Sequence, residues 1–113
     1  MAKHNQTGKT GEELAAEYLI ARGYIIRDIN WKNGKLELDI VAYKDRTLIV
    51  VEVKTRSSDL FGHPEDAVNT RKIRHIIDAT DTYIQKYDLP FEVRFDIISI
   101  VKKENEYEKE ILD

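Results

Sequence analysis

The sequence predicts an α/β domain of element order αβββαβ, a mixed central sheet flanked by helices. Three observations carry this. Leu36–Tyr43 and Thr47–Val53 are runs rich in β-branched and aromatic residues around a polar Lys44-Asp45-Arg46 break, the composition of a hairpin. Two stretches with helical spacing lie outside it, one before and one after. A last strand follows the second of these, and a strand–helix–strand order favours parallel pairing through a right-handed crossover.

In chain order, Thr10 and Glu13 have capping-box spacing and open a helix carrying Leu14, Ala15, Tyr18, Leu19 and Arg22, which Gly23 ends. Tyr24–Trp31 alternates loosely as a strand, and Asn33-Gly34 is a turn signal leading into the hairpin. After Lys54 the chain turns polar, with a loop at Phe61-Gly62-His63-Pro64, where Pro64 suits the start of a short helical turn through Val68. Asn69-Thr70 caps a second helix, Arg71 to about Tyr87, with Ile73, Ile76, Ile77, Thr80, Tyr83 and Ile84 on one face. Phe91–Val101 is the last strand, with Val93, Phe95 and Ile97 opposite Arg94, Asp96 and Ile98. The charged tail beyond it reads equally as a frayed edge strand or as disorder.

A hairpin loop of even length, Asp45-Arg46 or Lys44–Thr47, sets Tyr43 opposite Leu48 and fixes every later pair. Ala42 then meets Ile49, Ile40 meets Val51 and Leu38 meets Val53 on one face. Val41 meets Val50, Asp39 meets Glu52 and Glu37 meets Lys54 on the other. An odd loop would mix charged with apolar partners, so the even one is preferred. The even register opposes two carboxylates, and like charges so placed repel unless a cation lies between them.

The totals exclude several functions. A chain of 113 residues is expected to form one domain, 1–113, with residues 1–7 and about 103–113 flexible. There are no cysteines, so neither a disulfide framework nor a thiolate metal site is available. The start, MAKHNQTGKTGEE, has no apolar run, and no segment approaches membrane-spanning length, so a cytoplasmic protein without membrane contact is expected. The net charge of −3 argues against a grip on nucleic acid by bulk electrostatics. A near-neutral domain can still hold phosphates through a focused basic face.

Asp39, followed thirteen residues on by Glu52-Val53-Lys54, matches the acidic-x-lysine signature of metal-dependent nucleases. The residue types fit the chemistry. Mg²⁺ (or Mn²⁺) takes oxygen ligands and keeps several waters, so Asp39, Glu52 and the Val53 backbone carbonyl suffice. A metal so held acidifies a bound water and neutralises charge on the phosphate. Lys54 would orient the attacking water or stabilise the phosphate electrostatically. Glu37 has two readings, an additional ligand or a cross-strand partner of Lys54. Arg56, Arg71, Lys72 and Arg74 follow the hairpin and open the second helix, where cations beside a helix N-terminus can bind a phosphate of nucleic acid. Asp96, between Arg94 and Ile98, reads as a salt-bridge partner, and Tyr24 and Trp31 as core.

Nearly end to end, the chain resembles the YraN family (UPF0102) of small bacterial proteins. The matching residues are Gly8-x-x-Gly11-Glu12, the Ala15…Tyr18-Leu19 helix, Gly23-Tyr24, Asn30, Glu37-Leu38-Asp39 and Val51-Glu52-Val53-Lys54-x-Arg56. Phe61-Gly62-x-Pro64, Ala67-Val68, Lys72 and Arg94-Phe95-Asp96 complete the set, and Leu36 departs from the usual glycine. The resemblance implies a restriction endonuclease-like fold of the PD-(D/E)xK superfamily, similar to archaeal Holliday-junction resolvases. It also implies that Glu12 joins Asp39, Glu52 and Lys54 in the catalytic cluster. By composition alone Glu12 is a first-turn acid that favours the helix dipole. The expectation is a metal-dependent endonuclease acting on DNA, branched or otherwise structured. The alternative is a non-catalytic nucleic-acid-binding module of the same fold. Resolvase-like cutting of two strands would call for a homodimer, by analogy.

Overall fold

A computed structural model describes residues 8–56, 69–89, 92–103 and 106–112, with side chains described up to Val101. The loop around His63 and the turn expected after Pro64 lie outside the described residues, as do residues 1–7.

The elements are α1 (Gly11–Ala21), β1 (Ile25–Asn33), β2 (Leu36–Lys44), β3 (Thr47–Arg56), α2 (Thr70–Tyr87), β4 (Glu92–Lys103) and β5 (Glu106–Leu112). The αβββαβ order is therefore observed, with β5 added to the four-stranded mixed core. The sheet order is β1-β2-β3-β4-β5. Only β3 and β4 run parallel, with Thr47 beside Glu92 and Arg56 beside Val101, as the crossover predicted. Between a frayed strand and disorder for the tail, the structure has a strand: β5 pairs antiparallel with β4.

Local chemistry sets the helix ends. The Thr10 hydroxyl accepts from the Glu13 N–H at 3.1 Å, and the Glu13 carboxylate accepts from the Thr10 N–H at 2.9 Å. This capping box satisfies two donors that the first turn of α1 leaves orphaned. Asn69 caps α2 through Lys72 N–H at 2.9 Å. At the other end Asp88 adopts the left-handed conformation and its N–H bonds the Ile84 carbonyl.

The β2–β3 hairpin turns through Asp45 and Arg46, both at positive φ (52° and 64°), the geometry that matches strand twist. The even loop and its register are observed from Lys44↔Thr47 through Ile40↔Val51, where the ladder ends. The expected pairs Asp39–Glu52, Leu38–Val53 and Glu37–Lys54 lie beyond that end. Glu37 instead faces Lys32 on β1 and is exposed.

Both faces of the sheet are covered. Ala15, Ala16 and Leu19 of α1 pack on Ile40, Ala42, Ile49, Val51, Val53, Ile98 and Ile100 of the sheet. Ile76, Ala79 and Tyr83 of α2 pack on Trp31, Leu38, Val41, Leu48 and Val50. The face expected of α2 is corrected. Ile76, Ala79, Thr80 and Tyr83 are buried, whereas Ile73 and Ile77 are 47% and 51% exposed. Ile77 lies about 100° around the helix from Ile76, off the buried stripe.

The two cores exchange strands at one level. Ile29 pairs with Ile40, which packs under α1; Trp31 pairs with Leu38, and both pack under α2. In a regular strand residues two apart share a face. The switch falls at Asn30, whose φ of +56° is left-handed, and at Asp39, which the register sets opposite it. Asparagine tolerates that conformation better than other residues with a Cβ. Leu38 therefore does not share the face of Ile40, contrary to simple alternation.

Candidate functional site

Asp39 sits where β2 leaves β3. Its Oδ2 accepts a hydrogen bond of 2.8 Å from the Val53 backbone N–H. One pair further along the hairpin, that N–H would have met the Leu38 carbonyl; past the end of the ladder a side chain takes the place of a backbone acceptor. In a strand the N–H and C=O of one residue point to the same side, so the Val53 carbonyl also turns toward the opening.

Burial pushes the Asp39 carboxyl up to about 6, the Val53 hydrogen bond opposes this, and the negative charges of Glu52 and Glu12 raise it further. Lys72 pulls the other way. The cause of this crowding is the sheet's geometry. β3 delivers Glu52, and the first turn of α1 delivers Glu12 from the other layer.

Glu12 reaches this place because Gly11 lies against β3. A Cβ on Gly11 would stand 2.3 Å from Thr55 Oγ1 and 3.5 Å from Val53 Cγ1, so only glycine permits this approach. The glycine-glutamate pair in the sequence thus has a packing reason for its first member and an electrostatic one for its second.

The acids are partly neutralised from inside. Lys72 Nζ lies 2.9 Å from Glu52 Oε2, and Lys54 Nζ lies 3.7 Å from the same oxygen. The hydrogen bond to Glu52 holds the Lys72 pKa above the ordinary lysine value, against a smaller opposing effect of burial. The structure thus brings together Asp39, Glu52, Lys54, Lys72 and, electrostatically, Glu12. Lys72, expected on the phosphate-facing surface, is part of the acidic site. Arg71 and Arg74 are exposed on the same turn of α2, Arg56 is half-buried at the end of β3, and Glu37 is not among the interacting groups. Signals for Lys72 were its place one turn into a capped helix and its family match; its reach to β3 depends on the crossover, which no local pattern encodes.

The model of the uncharacterised protein family UPF0102 matches residues 11–100. The chain belongs to the UPF0102 family. A UPF0102 protein of Phocaeicola vulgatus is 58% identical over 101 residues, covering 89% of this chain and 84% of that relative. One from Bacteroides thetaiotaomicron is 50% identical over 101 residues, with the same coverage of 89% and 84%. One from Flavobacterium psychrophilum is 46% identical over 110 residues, covering 97% of this chain and 92% of that protein. The matched UPF0102 span includes Gly11, Glu12, Asp39, Glu52, Lys54 and Lys72.

The donors of this UPF0102 chain fit a hard divalent cation. Asp39, Glu52 and the Val53 carbonyl offer oxygen only, and burial first, then the charges of Glu52 and Glu12, raise the Asp39 pKa, a penalty on its ionised form that a cation would relieve. Among the described residues no three histidine or acidic side chains gather closely enough to form a complete cage. Mg²⁺ seldom needs one, since it keeps waters in its shell. Among the described residues no helix is long and apolar enough to cross a membrane.

Proposed function

We propose that this UPF0102 protein is a metal-dependent nuclease that hydrolyses phosphodiester bonds of DNA. The observation that carries the reading is the meeting of Asp39 and Glu52, with Lys54 and Lys72, at the opened end of the β2–β3 ladder. Asp39, Glu52 and the Val53 carbonyl would hold Mg²⁺ or Mn²⁺, which when bound supplies an acidified water and neutralises phosphate charge.

The chain's own groups divide the remaining work. The Val53 N–H fixes the Asp39 carboxylate in one orientation. Lys54, beside Glu52, orients the attacking water and stabilises the extra negative charge of the phosphate. Lys72 holds the Glu52 carboxylate in place, and on release from it presents an ammonium to substrate. Glu12 adds negative charge that favours cation binding. Arg56, Arg71 and Arg74 flank the site as contacts for the DNA backbone.

The test is cleavage of linear and branched DNA with Mg²⁺ or Mn²⁺ by wild type, Asp39→Asn and Lys54→Ala. Wild-type cleavage that needs metal, falling at least about a hundredfold in both variants, supports the reading. Absence of cleavage on every substrate, with metal present, removes it.

One observation favours a second reading. Lys72 already stands on Glu52 as an internal cation, which suits a module that binds nucleic acid without cleaving it. Equal DNA binding by wild type and Asp39→Asn, with no cleavage by either, would select that module.

A further inference from the structure

At the end that carries the acidic site, the central sheet divides into a fork. The β2–β3 ladder stops at Ile40↔Val51. On one side β1 and β2 stay paired through Trp31↔Leu38, Lys32↔Glu37 and Asn33↔Leu36. On the other side β3 and β4 stay paired as far as Arg56↔Val101. Two prongs therefore run on past the last pair that joins them. Asp39 lies in the notch, bonded across it to the Val53 N–H. From Ile40 to Leu36 the β1–β2 prong extends about 13 Å at the rise of a strand.

The root of this prong is clamped and its tip is free. Trp31 and Leu38 are buried, the Trp31 ring meets Tyr83 edge-on at 5.1 Å, and its Nε1 donates to the Tyr87 hydroxyl at 3.3 Å. Beyond them Lys32, Asn33, Gly34 and Lys35 are all exposed. A Cβ on Gly34 would find nothing within 4 Å, so the turn stands in open space. Among the described residues neither Lys32 nor Lys35 has a hydrogen-bond or ion-pair partner. Glu37 faces Lys32 in the register and is itself exposed. Two lysines against one acid leave the tip positive, in a chain of net charge −3.

A rigidly rooted ribbon with unpartnered lysines, beside a notch suited to a phosphate, fits a nucleic-acid backbone. A two-stranded ribbon enters the major groove of B-form DNA, about 12 Å wide; the minor groove, about 6 Å wide, is too narrow for it. A single strand offers no groove at all. We infer that the tip of the β1–β2 ribbon enters the major groove of duplex DNA while the notch at Asp39 receives the backbone of one strand. Lys32 and Lys35 then contact phosphates that border the groove. The reach of about 13 Å is comparable with the groove's width, so the tip spans from the strand in the notch to the facing one. The inference rests on the nuclease reading and makes its substrate double-stranded beside the cut.

The test is fluorescence anisotropy of a labelled blunt duplex, and of one of its strands alone, titrated with the full chain in EDTA so that no cleavage enters the readout. Wild type binds the duplex more tightly than the single strand. Lys32→Ala/Lys35→Ala binds the duplex at least about tenfold more weakly near 0.1 M salt, and its log K falls with log salt less steeply by about 1.8. Its affinity for the single strand changes less than about twofold, because there is no groove to enter. A duplex whose major groove is filled by glucosylated hydroxymethylcytosine binds wild type at least about fivefold more weakly than the plain duplex. Wild type that ignores the filled groove, or that binds the duplex no better than the single strand, overturns the inference. So does a double variant that binds the duplex like wild type or loses both ligands equally. If circular dichroism shows the double variant unfolded, Lys35→Ala in the exposed turn decides alone, through a slope shallower by about 0.9. The two readings fail separately. Lysine-dependent duplex binding without metal-dependent cleavage keeps the ribbon contact and removes the nuclease. Metal-dependent cleavage with duplex affinity unchanged in the lysine variants does the reverse.

Discussion

The Asp39 carboxylate accepts the Val53 N–H at 2.8 Å, and so stands in for a strand backbone where the β2–β3 ladder ends. One acid thereby serves both the closure of the sheet and the charge of the site, and substitutions should separate the two roles.

Asp39→Asn keeps an acceptor for Val53 and removes the charge. The folded pKa of Asp39, about 6, lies above its ordinary 3.8, so the fold favours the protonated form. That contribution is complete below about pH 3.8 and is lost as pH rises through about 6. Asp39→Asn should therefore match wild type near pH 3.5 and exceed it by about 1–2 kcal/mol at pH 8, after allowance for solvent screening. Asp39→Ala leaves the Val53 N–H unpaired and should be less stable than Asp39→Asn by about 1–3 kcal/mol. Urea unfolding at the two pH values measures both.

Lys72 competes with any divalent ion for Glu52, since its ammonium lies 2.9 Å from the carboxylate. Lys72→Met should bind Mn²⁺ about three- to tenfold more tightly in calorimetric titration, and the gain should shrink as salt is added. Unchanged or weaker affinity would show that the two cations do not share a seat.

Gly11→Ala should cost about 1–3 kcal/mol, because the new methyl group would meet Thr55 Oγ1 at 2.3 Å. Thr55→Ala removes that oxygen. The double variant should recover most of the loss, giving a coupling energy above about 0.5 kcal/mol in thermal or urea unfolding.

Tyr83 ties β1 to α2. Its hydroxyl donates to Asp28 Oδ2 at 2.6 Å and accepts from Arg27 Nε at 2.9 Å. Tyr83→Phe should lose about 1–3 kcal/mol at neutral pH. Burial, and then the bond to Asp28, push the phenol up to about 12 from 10.0. The stability this gives is present below about pH 10 and disappears as pH approaches 12. The gap between wild type and Tyr83→Phe should therefore close over that interval in unfolding measured against pH.

The hairpin was legible because its alternation and loop parity admit one register, although Arg46 in the turn takes a positive φ that such a residue seldom adopts. The parallel placement of β4 followed from the crossover, and the Arg94–Asp96 pair from their spacing. The face-to-face pairing of Asp39 with Glu52 was extrapolated one step beyond the ladder's end. What stops the ladder's regularity lies on a third strand, in the backbone of Asn30, where counting along the hairpin cannot reach. The place of Lys72 depended on how α2 lies across β3, a tertiary fact. The tail could not be assigned because its alternating charges satisfy a solvated coil as well as an edge strand.

The exchange of faces at Asn30 has a mechanical side. The β1–β2 ribbon gives Ile40 and Ala42 to the layer under α1, and Trp31, Leu38 and Val41 to the layer under α2. Neither helix can peel from the sheet without pulling on a ribbon that the other helix also grips. Amide protons on the two sides should therefore exchange with solvent in one cooperative opening, and a change at Asn30 should be felt as much beneath one helix as beneath the other.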